Sequence, residues 1–192
     1  VLRSALLAIV TVALLFGPTS TMAATNTATW NISGVVQPDA TFDLVSFNAG
    51  NITLTKTAFL VADSSELTDG ATVPSGTPVD FMIFINNKNT AAVNNINISD
   101  DLVTAPAGFT YTANSLRFST TAECTLQACD ATERAALYAA AVAPNTYTDA
   151  TGDDEASVVA GVVTAGLNGT TNTQLNVAAQ TAYALVFTAT VD

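Results

Sequence analysis

Apolar and polar residues alternate in short runs along most of the chain. In residues 51–57 the apolar side chains of Ile52 and Leu54 fall on one face. Alternation with a period of two residues is typical of β-strands that bury one face. Similar runs cover residues 27–33, 41–47, 79–86, 92–99, 109–111, 115–119, 157–163, 174–177 and 183–191. These runs predict a chain made mainly of short strands.

The most apolar of these runs, in the first half of the chain, has two apolar faces. Phe81, Ile83 and Ile85 alternate with Met82 and Phe84. A strand places successive side chains on opposite sides of its sheet, so one set points inward and the other set points away. The pattern predicts a strong strand and leaves open which of the two faces meets the core.

Turn-forming residues separate the runs. Pro, Gly, Asn and Asp cluster between them, and each of these residue types favours reversals of the backbone. Roughly seven to nine short strands, with a turn every 8 to 15 residues or so, favour an all-β fold built as an antiparallel β-sandwich. We place the sandwich at residues 51–192. We interpret residues 25–50 either as an N-terminal arm or as the first strands of the same domain.

One segment favours a short helix inserted between strands. Asp130 precedes it as a candidate N-cap, and Glu133 follows three residues later, which is the spacing of a capping box. Residues 135–141 are mostly strong helix formers, and Pro144 comes just after them. We therefore predict one helix in this part of the chain.

The first 24 residues have the pattern of a secretory signal peptide. Arg3 supplies a positive charge, an apolar run covers residues 4–16, and small residues follow at 21–24. The apolar run is shorter than the roughly 20 residues that a membrane-spanning helix needs. We predict a signal peptide at residues 1–24, an extracellular or cell-surface location, and no membrane span once the signal is removed. Retention of the segment as a membrane anchor is the alternative.

The chain has two cysteines, Cys124 and Cys129. An even number of cysteines in an exported chain favours a disulfide. A redox site more often has two residues between its cysteines, and a metal cluster needs more ligands. We therefore predict a local disulfide, which fixes the geometry of a small loop rather than the whole fold.

Charge and composition narrow the function classes. The chain has 16 acidic and 5 basic residues, for a net charge of -11. Such a protein is repelled by phosphate backbones and anionic lipid, so we expect no nucleic-acid partner. It has no histidine, the commonest general base and a frequent zinc ligand. It also lacks a glycine-rich phosphate-binding motif. We predict that it is not an enzyme.

Two acidic doublets are the remaining candidates for carboxylate catalysis, Asp100–Asp101 and Asp153–Asp154. Neighbouring residues on a strand point to opposite faces, so neither doublet alone forms the facing pair that glycoside hydrolysis uses. Aspartate is common in turns because its side chain bonds to the local backbone. We therefore interpret both doublets as solvated turn acids.

A further acidic segment contains Asp149, Asp153, Asp154 and Glu155, with Gly152 among them. Calcium takes about six to eight oxygen ligands, and a loop of this kind can converge several of them. The spacing does not match the EF-hand loop. We predict no cofactor, with calcium at these four acids as the weaker alternative to a merely acidic loop.

The order of several motifs resembles a known domain family. The motifs are Leu-Thr-Lys-Thr (54–57), Pro-Ser-Gly-Thr-Pro-Val-Asp-Phe (74–81), Ile-Asn-Asn-Lys-Asn-Thr (85–90), Asn-Ile-Ser-Asp-Asp-Leu (97–102) and Pro-Ala-Gly-Phe-Thr-Tyr (106–111). Their order resembles the immunoglobulin-like conserved-repeat domain of unknown function eleven, found in bacterial and archaeal surface and cell-wall proteins. The resemblance covers about residues 50–192, and residues 124–144 depart from the short loop of the family. It implies an immunoglobulin-like sandwich and brings no catalytic residues to this chain.

These expectations favour a secreted structural protein, a subunit of a pilus-like extracellular filament or a cell-surface layer, with copies of itself as partners. Open sheet edges pair with further strands, and in the donor-strand mode an arm of one subunit supplies that strand. Trp30, Ile32, Val35 and Val36 of the arm would then fill a groove of the neighbouring subunit. One alternative makes the arm the first strand of its own sandwich. The alternative function is a cell-surface adhesion or ligand-binding module.

Overall fold

The computed structural model describes residues 27–32, 35–36, 47–49, 51–68, 71–103, 108–143, 146–167 and 172–192. Within these residues the chain forms twelve strands and one helix. The first strands are β1 (Thr27–Ile32), β2 (Val35–Val36), β3 (Phe47–Ala49), β4 (Ile52–Leu60), β5 (Pro78–Asn87) and β6 (Val93–Asp101). The later elements are β7 (Phe109–Tyr111), β8 (Arg117–Ala122), helix α1 (Ala131–Ala141), β9 (Ala156–Val159), β10 (Val162–Ala165), β11 (Leu175–Val177) and β12 (Thr181–Val191). The predicted signal peptide at 1–24 lies outside the described residues.

The strands form two antiparallel sheets. The first sheet has the order β2-β1-β6-β10-β9, and β11 pairs with β6 beside β10. The second sheet has the order β3-β4-β5-β12-β7, and β8 also pairs with β12. The prediction of an all-β, antiparallel sandwich with one short helix is confirmed.

The two sheets pack around a shared apolar core. Leu54 of β4, Ile85 of β5 and Tyr183 of β12 are partners in register, and all three side chains are buried in this core. From the first sheet, β6 contributes Ile96 and Ile98 to the same core. Burial of these alternating side chains supplies the main favourable term in folding.

β5 is buried on both faces, which answers the question that its sequence left open. Phe81, Ile83 and Ile85 lie in the core between the sheets, whereas Met82 and Phe84 lie in a second apolar cluster on the outer face. That cluster also contains Phe59, Cys124, Cys129, Leu137, Tyr138, Ala141, Ala182, Ala184 and Val186. The inserted helix and the cysteine loop therefore cover the outer face of the second sheet as a third layer.

The helix begins with the predicted capping box. The backbone N–H of Glu133 donates to Asp130 Oδ1 at 2.8 Å, and the backbone N–H of Asp130 donates to Glu133 Oε2 at 2.9 Å. Arg134 then forms a two-point ion pair with Glu66, with N–O distances of 2.6 and 3.0 Å. This pair attaches the first turn of the helix to the segment that follows β4.

The predicted disulfide between Cys124 and Cys129 is present, with their Cα atoms 5.3 Å apart. Its loop is attached to the end of β5 and the residue after it. The Asn86 side chain accepts a hydrogen bond from the Cys124 N–H at 3.0 Å. Lys88 Nζ donates to the carbonyl oxygens of Cys124 at 2.7 Å and Thr125 at 2.8 Å. The disulfide therefore positions a loop that packs against the second sheet.

The prediction of a single strand at residues 157–163 is wrong. The structure has a hairpin there, in which β9 and β10 pair on either side of a two-residue turn. Both turn residues have positive φ, 51° at Ala160 and 81° at Gly161. Two-residue hairpins require this backbone, and Asn or Gly normally signals it. Alanine in the first turn position hid the reversal within an apolar run.

Candidate functional site

The segment predicted as an assembly arm forms the first strand of the first sheet. β1 runs antiparallel along β6, and both Trp30 and Ile32 belong to the paired stretch. Val35 and Val36 form β2, which pairs back onto the end of β1. This is the second of the two alternatives that the sequence left open. Pairing of the same strand with a neighbouring subunit stays a prediction.

A buried ion pair connects the two sheets, and one of its members lies on β6, the strand that pairs with β1. Lys56 lies on β4 of the second sheet, and Asp100 lies on β6 of the first, where its Cα partner on β1 is Ala28. Lys56 Nζ is 3.0 Å from Asp100 Oδ1 and 2.8 Å from Oδ2. The exposed fractions of the two side chains are 1% and 0%. The interpretation of Asp100 as a solvated turn acid is therefore wrong, because β6 carries it into the core.

The surroundings of the Lys56 amine are apolar. Its inward neighbours along β4 are Leu54 and Ala58, and its Nζ lies 4.6 Å from the centre of the Phe81 ring. Burial lowers the pKa of Lys56, because the charged form loses its hydration, and the opposing effect of Asp100 is smaller. The site therefore holds an amine and a carboxyl group face to face, away from water.

A second buried carboxylate, that of Asp80 on β5, attaches helix α1 to the outer face of the second sheet. Asp80 is 1% exposed and accepts hydrogen bonds from three side chains. Arg117 Nη2 donates at 2.9 Å, Thr188 Oγ1 at 2.5 Å and the Tyr138 hydroxyl at 2.8 Å. Because each carboxylate oxygen has a partner, this group serves as a structural anchor for α1.

Three carboxylates of the acidic segment, which is the weaker candidate for calcium, accept hydrogen bonds within the fold. Asp149 accepts from the Tyr111 hydroxyl at 2.7 Å and from the backbone N–H of Asn114 at 2.8 Å. Asp154 accepts from backbone N–H groups on both sides of it, and Asp153 accepts from a nearby threonine hydroxyl. These bonds hold the acidic segment in place.

Elsewhere in the described part of the chain, one group of three candidate ligands lies close enough together to share an ion. It consists of Cys124, Cys129 and Glu133. The two sulfur atoms are joined in the disulfide, and the Glu133 carboxylate accepts hydrogen bonds at the start of the helix. The four acids Asp149, Asp153, Asp154 and Glu155 are not part of any such group. Calcium at the acidic segment stays a prediction, the weaker of the two alternatives for this loop.

The tyrosines bear on the alternative of a ligand-binding module. Tyr138, Tyr147 and Tyr183 are buried, and Tyr111 is half-buried. The hydroxyl of Tyr183 donates to that of Tyr147 at 3.4 Å, and those of the other two donate to carboxylates within the fold. These rings therefore offer little exposed surface for stacking against a ligand.

The same burial predicts an unusual alkaline titration. Burial raises the pKa of Tyr111 and Tyr138 to about 12 and raises that of Tyr147 and Tyr183 above the usual value of 10. A phenol with a raised pKa stabilises the fold fully below pH 10, and this contribution is lost as pH rises towards 12. We expect the folded chain to show little tyrosinate absorbance at pH 10. The urea-unfolded chain is the control, with a midpoint near pH 10; the same midpoint for the folded chain would contradict this burial.

The described helix and the similarity of the chain to other proteins complete the observations. In the part of the chain that the structure describes, no helix combines the length and apolar character needed to cross a bilayer. Comparison with protein-family models, with curated proteins and with solved structures finds no match to this chain.

Proposed function

We propose that the chain is a structural subunit of an extracellular filament or a cell-surface layer, which assembles by exchange of β1 between copies. The observation that carries this proposal is the pairing of β1 with β6 from Thr27, opposite Asp101, to Ile32, opposite Ile96. A second copy offers the same β6 and therefore the same pairs. Exchange of an identical element is a low-cost route to assembly, because it needs no new interface chemistry.

The chain between the exchanged strands and the sandwich is long enough for this exchange. If β1 and β2 move together, the ten residues at 37–46 connect them to β3. Ten extended residues span at most about 33 to 36 Å. This length is similar to the diameter of a small domain. A head-to-tail exchange whose rotation does not close produces a filament, and repetition in two directions produces a layer.

Three other features support an extracellular structural role. The sequence begins with the pattern of a secretory signal. The disulfide between Cys124 and Cys129 suits an oxidising compartment. The chain has no histidine, and two carboxylates that are fully buried among the described residues, those of Asp80 and Asp100, are held by side chains of the fold. A non-enzymatic protein that works through its sheet edges accounts for all three.

Cysteine trapping tests the exchange directly. Thr29 and Ser99 are Cα partners on β1 and β6, at a separation that a disulfide spans in antiparallel strands. Assembled T29C/S99C chains are expected to form a ladder of covalent multimers on non-reducing gels. The matched control is T164C/S99C, because Thr164 of β10 pairs with the other side of Ser99. This control joins two strands that stay within one chain and is expected to run as a single chain.

Two outcomes would contradict this proposal. If T29C/S99C chains assemble normally but form only intramolecular disulfides, β1 is not exchanged between copies. If neither the original chain nor this variant assembles under any condition of concentration and salt, the structural-subunit proposal itself fails. Intermolecular disulfides at this pair, with none in the control, would support it.

A further inference from the structure

The Lys56–Asp100 pair holds an amine and a carboxyl group in direct contact. Both carboxyl oxygens lie within 3.0 Å of Lys56 Nζ. The carboxyl carbon is bonded to both oxygens, so the amine nitrogen lies close to it, and rotation about the Cβ–Cγ bond of Asp100 turns the face of the carboxyl group towards the amine. Reactions between well-placed groups proceed from separations of about 3 to 3.5 Å between the reacting atoms. The strands that carry the two residues belong to opposite sheets, and packing of the sandwich holds them in this position.

The surroundings favour the reactive protonation states. An ion pair in an apolar interior is costly, and transfer of one proton from the ammonium to the carboxylate removes both charges. The products are a neutral amine, which is a nucleophile, and a carboxylic acid, which is an electrophile. The lowered pKa of Lys56 is consistent with this transfer. Exclusion of water also protects an amide from hydrolysis once it has formed.

We propose that Lys56 and Asp100 join in an intramolecular amide bond, a covalent cross-link between the two sheets. Lys56 Nζ attacks Asp100 Cγ, the new C–N bond forms, and the C–OH bond of the carboxylic acid breaks. The departing hydroxyl takes one hydrogen from the nitrogen and leaves as water. The sum is one amine and one carboxylic acid converted to one amide and one water, so no oxidant, reductant or co-reactant is needed.

The cross-link joins β4 to β6 across 44 positions of sequence. It differs from the Cys124–Cys129 disulfide in two ways. It connects the sheets of the sandwich rather than a local loop, and reducing agents do not break it. The cross-link forms within the core of one chain and does not depend on the exchange of β1.

The mass of the intact, reduced full-length chain tests the proposal. We expect a mass lower than that calculated from the sequence by one water. K88R is the matched control, because Lys88 is the second lysine of the chain and bonds to loop carbonyls. K88R is expected to lose water as well. K56R keeps a positive charge beside Asp100, removes the amine, and is expected to have its full calculated mass.

Tryptic mapping identifies the linked residues without any variant. An amide at Lys56 blocks cleavage after that residue and connects its peptide to residues 89–117, which contain Asp100. Cyclisation at the Asp69–Gly70 dipeptide also loses one water. Mapping separates it from the cross-link, because cyclisation leaves cleavage after Lys56 intact and does not connect two peptides. A wild-type chain of full mass, cleaved normally after Lys56, would overturn the proposal. So would a water loss located anywhere else.

Discussion

Replacing Asp100 with alanine is expected to lower the free energy of unfolding by at least about 3 to 5 kcal/mol, as measured by urea denaturation. This variant leaves the Lys56 amine in the core without its carboxyl partner, whether the two groups form an ion pair or an amide in the original chain. Removing one member of a buried ion pair typically costs about this much, because the other charge stays desolvated. The side chains of both residues are almost completely buried, so water cannot replace the lost partner without opening the sandwich.

The neighbouring residue provides the control for this variant. Asp101 lies on the same strand, is partly exposed, and accepts a hydrogen bond from the Val103 N–H at 2.8 Å. We expect D101A to cost no more than about 1.5 kcal/mol, the net value of one hydrogen bond. Equal effects for D100A and D101A would contradict the buried inter-sheet pair.

An apolar double replacement separates an ion pair from a covalent bond. For an ion pair alone, K56M/D100L is expected to be neutral or stabilising, because two desolvated charges are removed together. For an amide, the same variant loses a cross-link. By the entropy relation used for disulfides, closing a loop of about 45 residues contributes about 4 kcal/mol. We therefore expect K56M/D100L to be less stable than the original chain.

Replacing Phe84 with alanine is expected to lower the free energy of unfolding by about 3 to 5 kcal/mol, the usual range for a fully buried phenylalanine. Phe84 is on the face of β5 that points away from the other sheet, and it is 0% exposed because α1 and the disulfide loop cover it. Truncation would leave a cavity between the helix and the second sheet. Urea denaturation followed by circular dichroism measures the loss.

Leu126 is the control for this second core. It lies in the disulfide loop but is 57% exposed, so L126A is expected to change stability by no more than about 0.5 kcal/mol. If F84A behaved like L126A, the outer face of β5 would be solvated and the helix would not pack there. A large loss in F84A alone supports the three-layer arrangement.

The sequence alone predicted the features that depend on residues close together in the chain. Alternation predicted the strands that became β4, β5, β6 and β12, and the Asp130–Glu133 spacing predicted the capping box. The disulfide followed from having one possible pairing. Each of these depends on a pattern within a few positions of the chain, where the physical rules are local.

The buried Lys56–Asp100 pair was missed, although the sequence contained part of the signal. Ile52 and Leu54 define the inward face of β4, and Lys56 occupies the next inward position of the same alternation. A charged residue at an inward position implies a buried partner. Its partner lies 44 positions away on the other sheet, and only the tertiary packing shows that the two positions face each other.

The placement of β1 was left open for a related physical reason. An apolar strand near the start of a chain satisfies a sheet edge equally well in its own subunit or in a neighbour, because the pairing rules are the same. The structure of one chain has β1 beside β6. The choice between the two arrangements depends on concentration and on the length of the connection, which strand patterns do not encode.

Electron microscopy of the purified chain, concentrated under oxidising conditions, tests the central claim most directly. The account predicts fibres or ordered layers whose repeat is close to the length of one sandwich. Dispersed single particles of one chain each, at every concentration and ionic strength sampled, would contradict it.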